Sequence, residues 1–164
     1  MKPITPCLAF ATILLPGLVL AQQARPACAL MEAVDLKPLL GAGHAAPAPY
    51  ADTGCIVKSK TAGRLVMFSI AEKPNAELRK DLAAHRKTLG SAEYAAVSTV
   101  ATAPEFGPEA FSAREKGEKS AAEIHALKGT RALSATLNWS NGAITEPVFK
   151  QLRELTASAL AKLP

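Results

Sequence analysis

Residues 131–139 read Arg-Ala-Leu-Ser-Ala-Thr-Leu-Asn-Trp, and the alternation in that run restricts the fold more than any other feature of the chain. Leu133, Ala135, Leu137 and Trp139 recur at every second position, which puts them on one side of an extended backbone. A strand over 121–127 precedes the run through the tight Lys128-Gly129-Thr130 segment, so the two form an antiparallel hairpin. A strand with one apolar side must bury it, and a hairpin cannot do so alone. The pair therefore requires a larger sheet and a covering layer.

The rest of the chain supplies both. Strands are predicted over 55–60 and 64–71, on either side of Thr61-Ala62-Gly63. In the second, Val66, Phe68 and Ile70 alternate with Leu65, Met67 and Ser69, which predicts a strand buried on both faces. Residues 93–102 read as a strand whose larger apolar residues are Tyr94, Val97 and Val100, and 104–108 (PEFGP) read as a turn into a strand over 109–116. Gly117 opens the next hairpin. Helical stripes run over 30–40, 74–89 and 146–163. The first carries Leu30, Val34, Leu36, Leu39 and Leu40, is shortened by Pro38 and is stopped by Gly41. The second places Leu78, Leu82 and Leu89 on one face, and the third Val148, Leu152, Leu155, Ala159 and Leu163. Residues 44–53 (HAAPAPYADT) read as a surface loop, and 22–27 and 43–53 as flexible. The expected fold is α+β, a mainly antiparallel sheet covered by helices, in the order α-β-β-α-β-β-β-α. There is no fixed-period repeat and no second domain.

The start of the chain sets the compartment. Met1-Lys2 precedes an uncharged apolar run over 7–20, and Val19-Leu20-Ala21 offers the small residues that a signal peptidase reads. The run falls short of the roughly 18–20 residues that span a bilayer, and Pro16-Gly17 interrupts it. We expect residues 1–21 to be a cleaved signal peptide and 22–164 to form one α+β domain, periplasmic or secreted, with no transmembrane segment after cleavage. Gln22 stands where a lipoprotein would carry its acylated cysteine. Cys7 leaves with the leader, so Cys28 and Cys55 remain, and an even pair in an oxidising compartment predicts a disulfide. The formal charge of +5 over 164 residues is mild and diffuse. It suits an anionic envelope component. It contains no Lys/Arg block or interleaved aromatics that would point to nucleic acid.

Several of these segments together resemble a group of small, largely uncharacterised bacterial exported proteins and lipoproteins. The segments are Cys28-Ala29-Leu30-Met31, a helix closing on Leu39-Leu40-Gly41, Gly54-Cys55 opening a strand, Phe106-Gly107-Pro108-Glu109-Ala110-Phe111, and Leu127-Lys128-Gly129 followed by Leu133-Ser134. The group begins with Cys-x-Leu-Leu, closes a helix on Leu-Gly and carries a second Cys before a hairpin; some members look like the PsbP-type α/β/α sandwich. Met31 and Glu32 depart from the usual Leu-Thr helix start. The resemblance implies a fold and a location and implies no reaction.

Candidate chemistry is sparse. His44 falls in the Ala/Pro loop, His85 on the second helix beside Arg86 and Lys87, and His125 on a strand; no two are spaced as a metal pair. Two cysteines without a clustered histidine do not complete a metal set either, and there is no Gly-x-Ser-x-Gly elbow or phosphate cradle. Glu105 and Glu109 form a carboxylate pair in a turn-and-strand context, where charges ordinarily face water. We therefore expect no catalytic residue, no cofactor and no metal, with His85, His125 and Trp139 as the possible ligand contacts. Lys58, Lys60 and Arg64 form a basic hairpin suited to solubility or to an anionic surface. The function expected is that of a non-catalytic envelope binding or accessory protein, its partner an anionic envelope component or another exported protein. The alternatives are a hydrolase-type enzyme with a site assembled from distant residues, and an inhibitor or immunity-type partner of a secreted protein.

Overall fold

The computed structural model describes residues 25–60, 63–117 and 120–164. The leader expected over 1–21 lies outside the described residues.

Seven strands form one antiparallel sheet in the order β1-β2-β3-β7-β6-β5-β4. They are β1 (Ala48–Tyr50), β2 (Gly54–Lys58), β3 (Arg64–Glu72), β4 (Ser98–Thr102), β5 (Phe111–Glu115), β6 (Ser120–Lys128) and β7 (Arg131–Trp139). Two meanders build it: β1 to β3 enter from one edge, β4 to β7 from the other, and β7 closes against β3. The helices are α1 (Pro26–Ala33), α2 (Lys37–Leu40), α3 (Asn75–Leu89), α4 (Ala92–Ala95) and α5 (Glu146–Lys162). The α+β class and the antiparallel sheet are those expected from the sequence.

Alternation decides which side of the sheet each residue serves. Val66, Phe68 and Ile70 on β3, Leu133, Ala135 and Leu137 on β7, and Ala122, Ile124 and Ala126 on β6 share one side and are all buried. The stripe of α5 formed by Phe149, Leu152, Leu155 and Ala159 joins the same core, as do Leu30 and Met31 of α1 and Leu39 and Leu40 of α2. The turn between β6 and β7 also holds the end of α5, where Lys128 Nζ donates to the carbonyls of Leu160 and Leu163 at 2.9 and 2.6 Å. A cation at that terminus satisfies carbonyls that have no partner within the helix.

The Cys28–Cys55 disulfide ties α1 to β2, with Cα atoms 5.1 Å apart. It bridges residues 27 apart in sequence, a loop whose closure stabilises the fold by about 3–4 kcal/mol in the chain-entropy account.

The structure departs from the predicted elements in three places. The first helix breaks at Val34, whose backbone is extended (φ −109°, ψ 155°). The chain restarts as α2 with Pro38 in its first turn, where a missing N–H costs nothing, and Asp35 Oδ1 accepts from the Lys37 N–H at 3.0 Å. Part of the supposed loop over 44–53 is β1, an edge strand paired Ala48↔Ile56 to Tyr50↔Gly54. Its Pro49 removes a donor that only an edge can spare. Residues 92–95 are helical, not the start of a strand: this Ala-rich stretch with Glu93 in the first turn has the stronger helix propensity. The four strands between α3 and α5 correspond to the segments read at 93–102, 109–116, 121–127 and 131–139, which the order α-β-β-α-β-β-β-α counts as three.

Replacing both Cys28 and Cys55 by serine should lower the unfolding free energy by about 3–4 kcal/mol, and Leu133→Ala, at a fully buried position, by about 2–5 kcal/mol. Urea denaturation of the purified variants checks both values.

Candidate functional site

The opposite side of the sheet is less completely covered, and the polar chemistry gathers there. By register this side carries Phe111 and Ala113 on β5, Glu123 and His125 on β6, Ser134 and Thr136 on β7, and Leu65 and Met67 on β3. Helix α3 packs across β4, β6 and β7 through Leu78 and Leu82. His85 lies close to a further helical turn along from Leu82, so it projects toward the same strands.

Three side chains meet where α3 crosses β6. Glu123 sits between the imidazoles: its Oε2 is 3.2 Å from His125 Nε2 and its Oε1 is 3.5 Å from His85 Nε2. The two rings pack edge to face with centroids 4.7 Å apart. Phe111, directly opposite His125 in the ladder, stacks on it at 4.6 Å with planes 17° apart. The His125 side chain is 9% exposed and that of His85 44% exposed, so one ring is fixed in the sheet and the other borders solvent. His125 Nε2 is buried and, although near Glu123, makes no aligned hydrogen bond. Burial raises the Glu123 carboxyl, but the adjacent His125 and His85 more than offset that, holding it below its ordinary value.

This cluster opens into a cleft of about 240 Å³ lined by His85, Glu123, Arg114, Glu115, Ser98 and Thr136, among others. Tyr94 and Val97, both exposed apolar residues, also line the cleft. A second recess of about 440 Å³ adjoins it, sharing Glu115 and Ala121. Lys58, Arg64, Asn138, Trp139 and Ser140 line this recess.

Trp139 is held there by local packing. Arg64, its partner in the β3–β7 ladder, lies over the ring at 3.9 Å from the centroid and donates from Nη1 to the Leu39 carbonyl at 2.9 Å. Gly142 packs so closely that a Cβ there would come within 2.8 Å of Trp139 Cε2. The ring is half-buried and also touches the core.

The three suspected contact residues therefore divide. His85 and His125 come together, with Glu123 as a partner absent from the predicted set, and Trp139 lines the neighbouring recess. A sequence signal for Glu123 existed: it stands two residues before His125 on a strand, hence on the same face. His44 stays apart, its Nδ1 3.1 Å from the Gly41 carbonyl. The carboxylate pair does not act together: Glu105 pairs with Arg153 and Glu109 with Arg79. In the basic hairpin, Lys58 and Lys60 are exposed while Arg64 is half-buried against Trp139.

The chain matches no known protein-family model and no curated protein.

Because the chain has one tryptophan, its fluorescence reports this packing directly. Gly142→Ala should shift the Trp139 emission to longer wavelength and cost about 1–3 kcal/mol of stability, as overpacking does; an unchanged spectrum would contradict the contact.

Proposed function

We propose that the chain is an exported, non-catalytic binding or accessory protein of the bacterial envelope, released after Ala21 into the periplasm or medium, and that a recess where β3 begins and β7 ends holds an anionic envelope ligand. The carrying observation is the recess in which Lys58 and Arg64 border Trp139 beside Asn138 and Ser140. A guanidinium and an ammonium supply charge, the amide and hydroxyl supply hydrogen bonds, and the indole edge supplies apolar contact. The Cys28–Cys55 bond supports an oxidising compartment. Among the described residues, no helix is long and apolar enough to cross a membrane. The resemblance to small bacterial exported proteins favours the same reading, and helices on both faces of an antiparallel sheet favour the PsbP-type comparison.

A hydrolase-type reading has one specific observation in its favour, the convergence of His85, Glu123 and Arg114 on a single cleft. The two readings separate in one set of measurements. Titrating the purified disulfide-bonded protein with phosphatidylglycerol vesicles should change Trp139 emission, with an apparent affinity that falls as salt rises. Lys58→Ala with Arg64→Ala should weaken it by about tenfold or more, taking roughly 1 kcal/mol for each surface cation. No response at low salt would remove the anionic-ligand reading, and turnover in a hydrolase screen that His85→Ala abolishes would replace it with the enzyme.

A further inference from the structure

The His85, Glu123 and His125 cluster has the composition and spacing of a metal site. One ligand atom from each residue can be chosen so that all three lie within 4.8 Å of one another. Around a tetrahedral zinc ion, with bonds of about 2.0–2.2 Å to nitrogen and oxygen, neighbouring ligand atoms stand roughly 3.2–3.6 Å apart. The carboxylate already reaches both imidazoles, with Oε2 3.2 Å from His125 Nε2 and Oε1 3.5 Å from His85 Nε2, so one oxygen stands at such a distance from one ring and the other oxygen from the second. The remaining adjustment falls to His85, whose side chain is 44% exposed at the open edge of the cluster.

A second, independent observation points to a ligand. His125 Nε2 is buried and, although 3.2 Å from Glu123 Oε2, has no aligned hydrogen-bond partner, a costly condition for a polar group. The nitrogen is aimed at the cluster, beside Glu123, on a ring that stacking against Phe111 keeps in place. A neutral imidazole offers a lone pair there, and a cation would use it. His85 and Glu123 also line the 240 Å³ cleft, so an ion could enter from solvent and keep an open position for water or a small ligand.

We infer that His85, Glu123 and His125 form a three-ligand site for a divalent transition-metal ion of the zinc type. Two imidazoles and one carboxylate suit zinc or copper better than calcium or magnesium, which prefer oxygen alone. The site is separate from the Lys58–Arg64 recess and does not depend on the anionic-ligand reading.

The test uses disulfide-bonded protein stripped with EDTA and titrated with zinc in competition with a chromophoric chelator. One equivalent should bind, and Co²⁺ in its place should give the intense visible absorption of a tetrahedral centre. His85→Ala and Glu123→Gln should each weaken zinc by about 100-fold or more, beyond the roughly 10–100-fold that loss of an outer-shell group costs, while His44→Ala leaves it unchanged. His85 is on the surface, so its variant should keep the circular dichroism and thermal midpoint of the metal-free parent. Absence of stoichiometric binding overturns the inference, and so does binding that persists in both variants, since the ion would then sit elsewhere. A protein that ignores zinc but still answers vesicles loses the metal site alone.

Discussion

The register of β7 between β3 and β6 governs both sides of this molecule. From Arg64↔Trp139 to Glu72↔Arg131 on one flank, and from Ser120↔Trp139 to Lys128↔Arg131 on the other, each pair assigns its residues to the core or to the cleft. Strand side chains have a period of two, so a slip of one residue would exchange the two sets. Were the β6–β7 hairpin to slip in this way against β3, Glu123 and His125 would enter the space filled by α5, and Leu133, Ala135 and Leu137 would face the cleft. Burying an unpaired carboxylate among leucines is prohibitive, so the hydrophobic side of the ladder fixes the position of the polar side.

The two helical layers divide the work accordingly. On the core side α1, α2 and α5 cover the sheet, the disulfide holds α1 to β2, and Lys128 holds the end of α5. On the other side α3 crosses only part of the sheet. Leu65 and Met67 of β3 and Ile56 of β2 remain half-buried there, and the cleft beside His85 and Glu123 lies along the same face. A rigid, fully packed layer beneath a partly open one is the arrangement in which side chains can be pre-positioned for a ligand without weakening the core.

Much of the architecture was legible because it rests on periodicity. The β6–β7 hairpin, the stripes of α3 and α5, and the pairing of Cys28 with Cys55 are local patterns or consequences of count. The elements that escaped carry weak patterns. β1 is three residues long and contains Pro49, so it has no alternation to read. α4 is a single turn whose Tyr94, with Val97 just beyond it, suggested a strand, while the alanines around Tyr94 favoured a helix. The site was legible only in fragments. His85 and His125 are far apart in sequence, and nothing local shows that α3 crosses the sheet at β6. Their meeting is a tertiary fact, whereas Glu123 and His125 were already joined by strand periodicity.

Helix α3 lies across β6 so that His85 meets Glu123 and His125 on the face opposite the core. Nuclear Overhauser contacts among ring protons of the folded, disulfide-bonded protein test this most directly. The structure predicts cross-peaks from His85 to His125 and from His125 to Phe111, together with slow amide exchange along β6 and β7. Ring protons of His85 that show contacts only within α3, in a protein whose β6 and β7 amides remain protected, would contradict it.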